Sequence, residues 1–142
     1  MKQIRLTMNR RYPVSYVREI REHCDRIGVR APASFWRADI ESLAAAFNGV
    51  GPDRWCPVFR SAVSWLLKPF FTAALPHDWE YSLPEKSYWA FTAANWRFAV
   101  NSWIEALDER RPGMVFMGLA LAVLCQLFGW GGYLQGGTDD DK

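Results

Sequence analysis

An all-α single domain of five to six helices is the fold the sequence predicts, and three observations predict it. Apolar residues recur at three- and four-residue spacing along most of the chain. Prolines and glycines fall where such helices would start and stop. The 142 residues, half of them hydrophobic, are one domain's length and enough to bury a core. The domain is expected over residues 1–137, with 1–12 as a basic N-terminal arm. Residues 138–142 form an acidic tail that nearly reads as a protease-tag site.

The segment KQIRLTM reads as a short strand or an arm. PVSYVREIREHCDRIG reads as a helix: Val17, Ile20, Cys24 and Ile27 keep helical spacing, Pro13 sits near its start and Gly28 can end it. After the break at RAPAS, SFWRADIESLAAAFNG reads as a second helix. Ser34 is its candidate cap, with Phe35, Ile40, Leu43, Ala44 and Phe47 inward. Asn48-Gly49 is a natural left-handed stop. A turn-rich loop, NGVGPDRWCP, leads to a third helix from about Val58 to Leu67.

Pro69 disfavours helix at Lys68 and can open a fourth helix itself, PFFTAALPHDWEY. Pro76 falls inside it and removes a backbone donor, so His77 is expected just after a kink or a helix end. SLPEK is a loop. The clearest helix is SYWAFTAANWRFAVNSWIEALDERR, where Tyr88, Phe91, Asn95, Phe98, Trp103 and Leu107 trace one broad face. Asn95 interrupts that apolar stripe.

Met114 to Gly137 carries no charge. Three placements fit it: a transmembrane helix, a buried central helix or an interfacial hairpin. Gln126 in its middle and the glycine pairs at 131–132 and 136–137 favour burial of Met114–Phe128. The long helix 87–110 and the apolar segment 114–130 are then expected at the centre of the domain.

The 8 Trp, 9 Phe and 5 Tyr fit a bulky core, and also a membrane interface or a protein contact. Residues 1–30 hold eight basic against three acidic residues, within a net charge of +2. Such a segment is a solvated helix face or a dock for phosphates. Cys24, Cys56 and Cys125 are far apart and form no CxxC, so no disulfide framework or cysteine zinc site is expected. No apolar signal region opens the chain, and the expected location is a reducing cytoplasm, with or without membrane association. There is no Walker loop, Rossmann glycine motif, serine elbow or helix-turn-helix signature, so sequence-specific nucleic acid is not an expected partner.

The chemistry-bearing stretch is AALPHDWEYS, residues 73–82. On a helix, His77 and Asp78 point about 100° apart, so Asp78 does not orient the imidazole. The histidine can serve as a base while the aspartate holds a cation. Tyr81 lies one turn beyond, and Asn95 is the polar group expected to meet them. Calcium would need several oxygens, and the upstream loop carrying Gly49 and Gly51 can offer carbonyls. The plain alternative is a helix-terminal histidine followed by a turn aspartate.

HDWEY resembles the HD-x-x-Y core of phospholipase A2-like proteins, including those in viral capsid proteins. The chain also resembles a family of small uncharacterised phage and prophage proteins. There A-A-x-x-H-D-x-x-Y precedes A-D-x-x-F and an apolar segment ending in F-G. Here AALPHDWEY, AANWRF and QLFGW stand in that order, over roughly residues 49–133. The resemblance implies a calcium-dependent lipid ester hydrolase, with His77 as base, Tyr81 in support, and Asp78, Gly49 and Gly51 on calcium. Asn95 stands where the family pattern has Asp, so the carboxylate that would orient the base is an amide. Two functions are therefore expected to compete: a phage- or prophage-encoded accessory protein with a phospholipase A2-like site, active or degenerate, or a non-enzymatic helical protein that binds a host protein, a virion protein or a membrane.

Overall fold

Helix α1 (Val14–Ile27) starts after Pro13 and stops at Gly28, whose φ of 72° and ψ of 45° are left-handed. The amide of Gly28 closes the helix onto Cys24 and Asp25 carbonyls. The expected second helix is two: α2 (Ala33–Arg37) and α3 (Ile40–Ala46). Ser34 is not the cap. Asp39 is, accepting the Ser42 amide at 2.8 Å and its hydroxyl at 3.0 Å, which holds the Asp39 carboxyl below its usual range. Ser34 lies inside α2 and accepts the indole N–H of Trp79 at 3.2 Å.

This computed structural model describes residues 12–47 and 67–135. The Val58–Leu67 helix lies outside the described residues except for its last residue, and so do Gly49, Gly51, residues 1–11 of the arm and the acidic tail. Tyr12, the last residue of the expected arm, packs on Phe47 and Phe71, with ring centroids at 5.0 and 5.4 Å.

Pro69 sits in a 3-10 turn, Lys68–Phe70, that leads into α4 (Phe71–Ser82). Pro76 lies inside α4 without ending it, so His77 is mid-helix rather than at a terminus. The carbonyl of Thr72 loses the donor that Pro76 lacks, and the Cys24 thiol donates to it at 3.4 Å. Burial pushes that thiol up to about 12. Helix α5 (Tyr88–Asp108) is capped by the Ser87 hydroxyl, which accepts the Ala90 amide at 3.0 Å. Arg110, at φ 55°, turns the chain into α6 (Gly113–Phe128), and the short α7 (Trp130–Gln135) follows.

The all-α expectation holds, in seven α-helices among the described residues. Helix α4 is the buried centre: α1, α2 and α3 pack on it, as does α5. Eight of its twelve residues are buried, so nearly its whole circumference is covered. Each large core side chain contributes about 1.5–3 kcal/mol on removal from water.

The apolar segment differs from expectation. Only Met114, Gly118 and Ala122 of α6 are buried, and Phe116, Leu127 and Phe128 are 77, 67 and 78 % exposed. The reason is neighbours, not hydrophobicity: α6 packs chiefly on α5, along one stripe. A Cβ built on Gly118 would stand 2.3 Å from Ser102 Cβ, so the glycine permits that contact. No helix among the described residues is long and apolar enough to cross a membrane. On α5, Phe91, Asn95 and Phe98 face inward as expected, whereas Tyr88, Trp103 and Leu107 are exposed.

Candidate active site

Two polar anchors fix how α4 meets its neighbours. Arg97 on α5 forms a two-pronged ion pair with the buried Glu80 carboxylate on α4, its Nε at 2.9 Å. The opposite end is held by Glu105 on α5, which accepts from the Thr72 hydroxyl and the Ala73 amide at the start of α4. Asn101 docks the segment after α1, accepting the Arg30 amide at 2.6 Å and donating to its carbonyl at 2.8 Å.

Between these anchors α4 presents His77 and Tyr81 to α5. Asn95 Oδ1 accepts from His77 Nε2 at 2.9 Å and from the Tyr81 hydroxyl at 2.8 Å. Its Nδ2 donates to Gln126 Oε1 on α6 at 2.9 Å, and Gln126 Nε2 donates to Thr92 Oγ1 at 3.1 Å. One polar chain thus ties three helices together inside an apolar surround. A satisfied network of this kind orients its members strictly, because each broken link strands a buried polar group. His77 is 8 % exposed and Asn95 3 %.

Asn95 Oδ1 is the acceptor between two donors, the Tyr81 hydroxyl and His77 Nε2, so in the neutral ring Nδ1 is bare. Nδ1 faces Asp78 Oδ1 at 3.7 Å, too long for a hydrogen bond but close for a charge. Asn95 therefore holds the imidazole's orientation without a charge. The carboxylate that would stabilise an imidazolium is Asp78 on the same helix.

The surround is closed by aromatic rings. Tyr81 packs on His77 at 4.1 Å between centroids, and Tyr133 of α7 packs on Tyr81 at 5.1 Å. Burial pushes the Tyr81 hydroxyl up, with the neighbouring Cys125 and Asp78 adding to it and the Asn95 bond opposing. Burial also pushes the Cys125 thiol up to about 11, and the Asp78 charge adds to that. Cys125 thus lies near both Asp78 and Tyr81.

The structure brings His77, Tyr81 and Asn95 together, with Asp78 beside them. Gly49 and Gly51 lie outside the described residues. For calcium, Asp78 offers one carboxylate. Among the described residues no group of three or more His, Cys, Asp or Glu side chains converges on a metal position. A cage built on Asp78 would therefore need further oxygens, from main-chain carbonyls, amide side chains or water.

Sequence reasoning missed Gln126 as a member of the network. Its signal was present, a lone amide in an uncharged apolar run, but it was read only against membrane spanning. Thr92 and Glu105 carried no such signal. An open depression lined by His23, Lys68, Thr72, Glu105 and Glu109 lies at the other end of α4, and neither His77, Asp78 nor Asn95 lines it.

Compared with known proteins, the chain matches no family model, no curated protein and no solved structure. The functional reading therefore rests on the site's own geometry and on the motif resemblance.

Proposed function

We propose that the chain is a phage- or prophage-encoded accessory protein whose His77–Asp78 site is directed at lipid esters, in the manner of a phospholipase A2. The observation that carries this reading is the fixed imidazole: Nε2 held by Asn95 Oδ1, Nδ1 turned toward Asp78. That arrangement is what a general base needs, because one nitrogen must be bare and aimed.

In the proposed reaction His77 Nδ1 takes a proton from a water as its oxygen attacks the ester carbonyl carbon. The imidazolium, stabilised by Asp78, then returns the proton to the leaving alkoxide as the acyl–oxygen bond breaks. Asn95 and Tyr81 keep the ring in place and the Nε2 proton where it is. A calcium ion held by Asp78, with the Gly49 and Gly51 carbonyls, would polarise the ester carbonyl.

The second reading is a helical protein that binds without catalysis. The amide at Asn95 and the low exposure of His77 favour it. One experiment separates the two: fatty-acid release from phosphatidylglycerol vesicles with calcium, wild type against His77→Ala. The hydrolase reading expects release that falls to background in His77→Ala. Absence of release from the folded wild type overturns it and leaves the binding reading.

A further inference from the structure

The tryptophans of α5 recur every seven residues. Trp89, Trp96 and Trp103 each directly follow a residue beneath α6: Tyr88 and Asn95, which bond Gln126, and Ser102, which meets Gly118. One residue further is about 100° round the helix, so the three indoles border α6 along its length. They are 79, 67 and 57 % exposed. Beside them α6 turns Phe116, Leu119, Val123, Leu124, Leu127 and Phe128 outward, all exposed. No charged residue occurs from Gly113 to Gln135. The result is an apolar face about 24 Å long and two helices wide, on the order of 500 Å² in projection. That is at the upper end of what a monomer carries in one patch.

We infer that this α5–α6 face is a lipid-docking surface that lies in the interface of an anionic phospholipid bilayer without crossing it. Three features point to lipid rather than to a second copy. Even homodimer interfaces carry about a third polar area, whereas the exposed positions of α6 are apolar throughout. Indoles along the border suit the boundary between headgroups and hydrocarbon. At the α5–α6 corner Arg110 is exposed beside the N-terminus of α6, whose first turn has no acidic residue, so a guanidinium and a helix N-terminus stand together for a lipid phosphate, while Glu109 pairs with Arg111. Helix α6 has 16 residues, about 24 Å, short of a hydrocarbon core of about 30 Å. The inference rests on this surface alone and stands whether or not His77 is catalytic.

The test is flotation of the full chain with phosphatidylcholine vesicles and with mixed phosphatidylcholine–phosphatidylglycerol vesicles, alongside tryptophan emission. The wild type is expected to float, more strongly with phosphatidylglycerol, with a blue shift. Leu119→Glu/Leu127→Glu, at exposed positions, should partition at least about tenfold less while keeping its helicity. Trp96→Ser is the second variant, should the first lose its fold, and should weaken flotation and the blue shift. Arg110→Glu should reduce only the phosphatidylglycerol preference. His77→Ala should float as the wild type does, which separates docking from hydrolysis. Wild type that stays in solution with both vesicles overturns the inference. So does a stable dimer by light scattering whose indoles are already protected without lipid, which would assign the face to a second copy.

Discussion

The thiol of Cys24 on α1 donates to the Thr72 carbonyl of α4, the acceptor that Pro76 leaves without a partner. A helix-interior proline is thereby tolerated in the buried centre of the fold. Cys24→Ala should cost about 1–3 kcal/mol by chemical denaturation, through the lost bond and the cavity. Pro76→Ala restores the amide donor, so in the double variant the Cys24→Ala cost should be smaller than in the wild-type background.

Glu105 gives the stability a pH dependence. Burial pushes its carboxyl up to about 7, against the hydrogen bonds from Thr72 and Ala73, and its Oε2 has no hydrogen-bond partner. A carboxyl raised on folding favours the native state while protonated. Its contribution is fully present below the ordinary glutamate range and is lost as pH rises through about 7. Glu105→Gln should therefore be more stable than wild type at pH about 8, by about 2–3 kcal/mol, with the difference shrinking toward pH about 5. Thermal melts across that range measure it.

Gly118 sets the spacing of α5 and α6. A Cβ added at position 118 would stand 2.3 Å from Ser102 Cβ, so Gly118→Ala should destabilise by about 1–3 kcal/mol. Adding Ser102→Gly should recover part of the loss in melting temperature.

Asn95→Asp would place a carboxylate against His77 Nε2, with the Tyr81 hydroxyl as a second donor, and Gln126, which accepts from Asn95 Nδ2, would have to turn its amide over to donate. On the hydrolase reading the expected result is a rate increase of about tenfold or more, read by a steady-state assay on vesicles.

The legible parts of the sequence were those set by neighbours along the chain. The Pro13 and Gly28 boundaries of α1 follow from backbone preferences. The meeting of His77, Tyr81 and Asn95 follows from one helical turn between the first two and from an amide breaking an apolar stripe. What was not legible depended on distant partners. The Cys24 thiol meets a carbonyl 48 positions away, and Asn95 meets Gln126 31 positions away. The hydropathy of the last apolar run suggested a buried helix, yet burial went to α4, which has partners on more sides. Uncharged sequence shows what a helix tolerates around it, not what covers it.

The central claim is that His77 is an oriented base with a bare Nδ1. It is tested most directly by the tautomer of the imidazole in the folded protein. With only His23 and His77 in the chain, nitrogen-15 NMR of histidine-labelled protein can assign both by comparison with His23→Gln. In the neutral ring of His77 the proton is expected on Nε2, with Nδ1 unprotonated. A proton on Nδ1 in place of Nε2 would contradict it, because that tautomer requires the side-chain amides of Asn95 and Gln126 both to be reversed, with no base aimed at a substrate.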